Sequence, residues 1–290
     1  GALWYRSRLV SPEAAARRHE GLSLLARDDT RSLERAAEVL ADVARLDPKL
    51  FQARADRALA LTLLAADERD RAAGLESGFK ALDAERFRLE AEGGEGWRGR
   101  QAEVLDRMKS LRDRIEPLRE RAARLGGEAF ADLKVLARPH GDDPAVARAL
   151  AVHYLLDGNL EQASRVVRNA RAAGLADSWL DLAEAAEDAL AANSQVVRQR
   201  AVARLAPLAD ARPDLLRARM LLARAQADLG RAEAALDALD AVLAANGSHE
   251  AAREMKERLL EPPPVEPVRP RVPQRLPPSG QPGRLPRKPG

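Results

Sequence analysis

Apolar residues along most of this chain recur every three or four positions, the spacing that gathers them on one face of an α-helix, and no segment makes a convincing strand. Helix ends are marked by local chemistry. Ser11-Pro12-Glu13 places a capping hydroxyl, a proline at the first helical position and an acid in the first turn, which predicts a helix from about 12 to 27. Asp28-Asp29-Thr30 makes a turn, and a second helix follows from about 32 to 46, stopped by Asp47-Pro48 because the residue before proline is pushed out of the α region. Two antiparallel helices of this length make one hairpin. Similar stops recur at Asp143-Pro144 and Arg212-Pro213-Asp214. The separations of 96 residues from Pro48 to Pro144 and 69 from Pro144 to Pro213 lie close to three and two units of about 34 residues.

The middle of the chain has a different period. Val104, Met108, Leu111, Ile115, Leu118, Ala122 and Leu125 keep an unbroken 4-3 spacing, a heptad seam. Leu75, Phe79, Leu82 and Leu89 have compatible spacing upstream, and Gly93-Gly94-Glu95-Gly96 divides the two as a flexible turn. This predicts an antiparallel hairpin over 75–125, longer than the flanking units, with Pro117 on the outer side of the seam where it kinks the second helix or starts a new one. The seam serves either as core packing within the stack or as a protruding, dimerising coiled coil.

In the second half, Leu150-Ala151-x-x-Tyr154, the turn Asp157-Gly158-Asn159, and then Ala163, Val167 and Ala170 resemble the tetratricopeptide repeat. The next unit keeps Trp179-x-x-Leu182-Ala183, with Ser178 as its expected cap, and a second helix opened by Ser194 that carries Ala201 and Leu205. The last has Leu222-Ala223, Leu229-Gly230-Arg231, Ala235 and Leu239, departing from the pattern at Gln226. The match is good over 144–247, fair over 12–48 and poor between. The resemblance implies an all-α, right-handed solenoid of helical hairpins, with 11–74 as degenerate units, 75–125 as the longer hairpin and 126–261 as further repeats. It also implies a concave groove lined by first helices, with Arg148, Val152 and Leu155 in one unit and Arg217, Met220 and Arg224 in the last. Carboxylate-clamp Lys and Asn are missing, so the expected occupant is an amphipathic or acidic protein segment.

Composition changes the picture at the two ends. Of the 18 prolines, 11 fall after Glu261, in a segment with six basic residues against Glu266, while the first 261 residues carry 42 basic against 44 acidic. A disordered Pro/Arg-rich tail over 262–290 is expected. Within it Pro264-x-x-Pro267-x-Arg269 and Pro270-x-x-Pro273-x-Arg275 fit a polyproline helix, serving either as a spacer or as a ligand for a polyproline-binding domain. A balanced body with 3% aromatic residues argues against a nucleic-acid face. Residues 1–10, with Leu3-Trp4-Tyr5 before Arg6 and Arg8, resemble either the exit from a membrane helix or an expression scar. Any membrane attachment is therefore expected through a segment outside this sequence.

No constellation for catalysis stands out. The histidines His19, His140, His153 and His249 are scattered without an i,i+4 ligand partner, and His140-Gly141-Asp142-Asp143 reads as a helix-ending turn. Zero cysteine removes thiol chemistry and disulfides. The expectation is a non-enzymatic protein-interaction scaffold without cofactor or metal, the soluble domain of a membrane-anchored bacterial envelope or motility protein. The alternatives are a helical oligomerisation or regulatory module of a larger enzyme, and a cytoplasmic location.

Overall fold

The computed structural model describes residues 11–94, 96–191 and 194–260. The expected tail and leader, with every residue of the polyproline motif, lie outside them. The described residues form eleven α-helices and no strand. The first hairpin is α1 (Pro12–Ala26) with α2 (Thr30–Leu46). Two far longer helices follow, α3 (Phe51–Glu92, 42 residues) and α4 (Trp97–His140, 44 residues). Three short hairpins come next: α5 (Pro144–Leu156) with α6 (Leu160–Ala172), α7 (Ser178–Leu190) with α8 (Gln195–Ala211), and α9 (Leu216–Asp228) with α10 (Ala232–Ala245). A single helix, α11 (Glu250–Leu260), closes the series. The chain is thus an all-α stack of tetratricopeptide-like hairpins interrupted by one long hairpin.

Local chemistry sets the short hairpins. Asp143 Oδ1 accepts the Ala145 amide at 2.9 Å ahead of Pro144, Asn159 accepts from Gln162 at 3.3 Å, and Ser194 Oγ from Val197 at 3.3 Å. Asp177, one residue before the expected Ser178, caps α7 through the Trp179 amide at 2.8 Å. At their far ends, α5, α6 and α9 close in the same way. Gly158, Gly174 and Gly230 take φ of +80°, +77° and +73°. The following amides then reach back to Tyr154 O at 2.8 Å, Ala170 O at 2.9 Å and Gln226 O at 3.0 Å. This six-residue closure needs the left-handed conformation that glycine adopts freely. Small residues at the crossings let the helices approach, with Ala151, Ala163, Ala183, Ala201, Ala223 and Ala235 all buried.

The domain limits predicted at 74/75 and 125/126 fall inside α3 and α4. Nothing between Phe51 and Glu92 breaks the helix; Gly74 and Gly78 are carried through it, since tertiary packing overrides a weak local preference. Likewise α4 continues through Pro117, which neither ends it nor starts a new helix. The two halves of α3 have different surroundings. From Ala53 to Ala66 residues are buried on every side, among them Ala55, Leu59, Leu63 and Leu64, so this half is a central strut rather than an amphipathic helix. It joins the largest apolar cluster, with α1, α2, the end of α4 and α5. Beyond Leu75 the apolar side chains of α3 pack only on α4, where Leu82, Leu89, Val104 and Met108 make a small separate cluster. The heptad seam is accordingly divided: Val104 and Met108 hold this arm, while Leu125 belongs to the main core.

Candidate functional site: the inner face of the hairpin stack

The first helices of the short hairpins, α5, α7 and α9, turn one face toward the interior of the array. The resemblance places a partner groove there, and the structure places α3 there. Val152 and Leu155 are fully buried and Arg217 is 4% exposed, which corrects the expectation that these residues line an open groove. Val152 packs in the apolar cluster that α3 joins, Leu155 in the cluster formed with the following hairpins, and the arginines meet carboxylates. Arg148 on α5 pairs with Asp56 on α3, and with Asp177 at 3.3 Å. Arg18 on α1 reaches the same Asp56 at 2.7 Å. His153 Nδ1 lies 3.1 Å from Thr62 Oγ1, and Arg69 reaches Asp157 at 2.9 Å.

Arg217 on α9 makes the deepest contact. Its Nη1 donates to Asp67 on α3 at 2.7 Å, while Nη2 and Nε donate to Asp28 Oδ1 at 2.7 and 3.2 Å. Asp28 is in the turn between α1 and α2 with φ of +53°, a conformation that short polar side chains tolerate better than most. Burial disfavours the charged guanidinium, but the two carboxylates outweigh it and hold the proton more firmly than usual. For Asp67 burial wins over Arg217, pushing its carboxyl upward. Near the rim, the half-exposed Met220 lines a small cleft beside α11, and the exposed Arg224 pairs with Asp70 at 2.6 Å. The arginines thus meet an acidic helical segment that belongs to the same chain.

The array also closes on itself. Asn246, after α10, donates to Arg27 O at 2.7 Å and Asp29 Oδ2 at 2.8 Å. Burial raises the Asp29 carboxyl, but the Ser32 hydroxyl and amide together with Asn246 outweigh it, so the group sits below its ordinary value. His249 is fully buried, and its Nδ1 accepts the Ala252 amide at 3.3 Å, capping α11. That bond leaves Nε2 as the protonated nitrogen of a neutral ring, 3.9 Å from Asp28 Oδ2. Arg71 of α3 extends the closure to Glu250 and Glu254 of α11, each at 3.2 Å. None of these arginines was recognisable as structural from sequence, since the partners of Arg217 lie 150 and 189 residues away.

A cavity of about 170 Å³ remains beside this network, lined by Leu25, Asp28, Leu59, Arg148, Trp179 and Arg217. Its cations are already matched by carboxylates, leaving no excess of either charge for a small ion. The polar run at His140 is structural: the ring stacks on Phe51 at 3.6 Å and Asp143 takes the Gln52 amide at 3.0 Å. Among the described residues no group of His, Asp or Glu is arranged to hold a metal, and no helix is long and apolar enough to cross a membrane.

Comparison with known proteins adds little. No family model matches the sequence, and no curated protein matches it. One similar solved structure is the TPR2AB-domain:pHSP90 complex of yeast Sti1. It is 18% identical, with 85% of this chain and 96% of that chain covered, at a TM-score of 0.33. A likeness of that size carries no argument about this chain's ligand, and the description of the fold rests on its own helices.

Proposed function

We propose that this chain is a non-catalytic protein–protein interaction scaffold. The observation that supports it best is the division of the long hairpin. Its proximal half is built into the stack as a strut, and its distal half continues as a two-helix arm that the stack does not use for its own core. The arginines of the interior are paired with carboxylates of the same chain, so a partner is met on outward faces, on the arm or by the tail. An amphipathic or acidic protein segment remains the kind of partner proposed, directed to the accessible rim at Met220 and Arg224 rather than to the buried positions behind it.

The finer reading is that the scaffold is the soluble part of a membrane-anchored bacterial envelope or motility protein. Its support is the aromatic-then-basic order of residues 3–8 and the Pro/Arg-rich tail. At about 3.1 Å per residue that tail, if extended, reaches on the order of 90 Å. Affinity capture from detergent-solubilised membranes tests both levels, comparing the full chain with a variant carrying Pro267→Ala, Arg269→Ala, Pro273→Ala and Arg275→Ala. A partner held by both chains places recognition on the helical body, and one lost with the variant makes the tail the ligand. Recovery of nothing beyond what an unrelated helical protein of equal charge captures overturns the scaffold reading.

A further inference from the structure

Two large apolar side chains stand out on the arm. Phe87 on α3 is 55% exposed and Leu105 on α4 is 45% exposed. Cross-hairpin pairs fix their relation: Glu76 meets Arg119 at 2.8 Å, and Glu90 meets Gln101 at 2.6 Å. Counting inward from these contacts puts Phe87 and Leu105 at the same level. The 4-3 seam on α3 runs Leu82, Arg86, Leu89 and that on α4 includes Val104 and Met108, so Phe87 follows Arg86 and Leu105 follows Val104, each one residue past a seam position. In an antiparallel pair, that places them on the same flank. Arg86 braces the Phe87 ring from 4.4 Å.

The charges on this flank are ordered. On α3 the flank positions one turn before and after Phe87 are Asp83, which pairs with Arg86 at 3.0 Å, and Glu90, with Lys80 one heptad before Phe87; on α4 those around Leu105 are Arg98 and Lys109. The α3 side of the face is acidic and the α4 side basic at the level of the apolar pair.

We propose that this face is a self-association surface, and that its occupant is a second copy of the chain. A two-fold axis along the arm lays α3 of one copy on α4 of the other. Phe87 then packs on Leu105 of the second copy, Asp83 faces its Lys109 and Glu90 approaches its Arg98, each contact made twice as an isologous interface requires. The other two-fold, perpendicular to the arm, sets acid on acid and base on base, so charge selects the first. The face spans about 26 Å from Glu76 to Glu92 at helical rise and two helix widths of about 10 Å each, or roughly 1,000 Å² over both copies. That area is at the small end of specific interfaces, which calls for a reversible, micromolar dimer.

The test is sedimentation equilibrium or light scattering on the full chain. The expected mass rises from 31.6 kDa toward twice that value over about 1 to 300 µM, and falls back as added salt screens the charges. Phe87→Ser with Leu105→Ser weakens association at least ~10-fold while leaving the melting temperature unchanged, since both side chains are exposed. Asp83→Lys and Lys109→Asp each weaken it, and the two combined in one chain restore it, a rescue that a purely structural role does not give. A chain that stays monomeric throughout, a dimer indifferent to the two serine substitutions, or a face that binds a different helical protein while the chain remains monomeric each overturns the proposal.

Discussion

Arg217→Met removes a guanidinium that makes three hydrogen bonds to two carboxylates, and all three side chains are at most 5% exposed. Methionine fills much of the aliphatic stem's volume, so the change is chiefly electrostatic. What remains is Asp28 and Asp67 facing each other in the interior. The second oxygen of each already lacks a partner, with His249 Nε2 3.9 Å from that of Asp28. Breaking a buried pair by removing one member costs about 3–5 kcal/mol. For a chain of this size each kcal/mol lowers the melting temperature by about 2–4 °C, so a drop on the order of 10 °C is expected by circular dichroism. The triple variant Arg217→Met, Asp28→Asn, Asp67→Asn removes the stranded charges as well and should recover part of that loss. Arg224→Met, at a pair whose side chains are 46% and 49% exposed, should cost about 0–1 kcal/mol. A single Arg217→Met variant as stable as Arg224→Met, or a triple variant less stable than the single one, would refute the reasoning.

Other substitutions probe separate parts of the account. Gly21→Ala sets a Cβ 2.7 Å from Leu40 Cγ where α1 crosses α2, and overpacking should cost about 1–3 kcal/mol in urea titration. Ala163→Leu, at a buried crossing of α5 and α6, should cost a similar ~1–3 kcal/mol, and an unchanged midpoint would contradict the packing of that hairpin. Burial lowers the His153 pKa below the ordinary histidine value of about 6.5. The folded state then binds fewer protons than the unfolded one, so this stabilisation is present above pH 6.5 and is lost as pH falls through the lower folded value; His153→Gln should flatten the slope in that window. Asp29, held below the ordinary aspartate value of about 3.9, contributes stability that is full above that pH and is lost on further acidification, and Asp29→Asn should shrink the acid-induced decline.

Sequence was most informative where the chemistry is local. Ser11 and Ser194 cap the helices they were expected to open, and Gly158 and Gly230 turn the hairpins, because each acts within a few residues of itself; Asp143, expected as part of a helix-ending turn, also caps the helix that follows. Asp177 rather than Ser178 caps α7, a one-residue ambiguity that arises when two capping residues are adjacent. The length of α3 was hidden because the 4-3 pattern fades upstream of Leu75. A signal was present in the run Ala58-Leu-Ala-Leu-Thr-Leu-Leu-Ala-Ala66, apolar on every side of a helix, which marks a buried strut rather than one wall of a groove. The arginines of the inner face could not be sorted from sequence. Arg148, Arg217 and Arg224 have the same residue type and comparable positions, yet only Arg224 is exposed, because the depth of each depends on how far α3 passes beneath it.

The central claim is that the proximal half of α3 occupies the inner face of its own hairpin stack while the same unbroken helix continues outward as an arm. Native-state hydrogen exchange, followed amide by amide along α3, tests it most directly. The account predicts slow exchange, close to the global limit, from about Ala53 to Ala72, and a step to much faster exchange beyond Leu75, with no interruption of the helix between them. Uniform protection from Phe51 to Glu92, or exchange of residues 53–72 as fast as that of the arm, would contradict it.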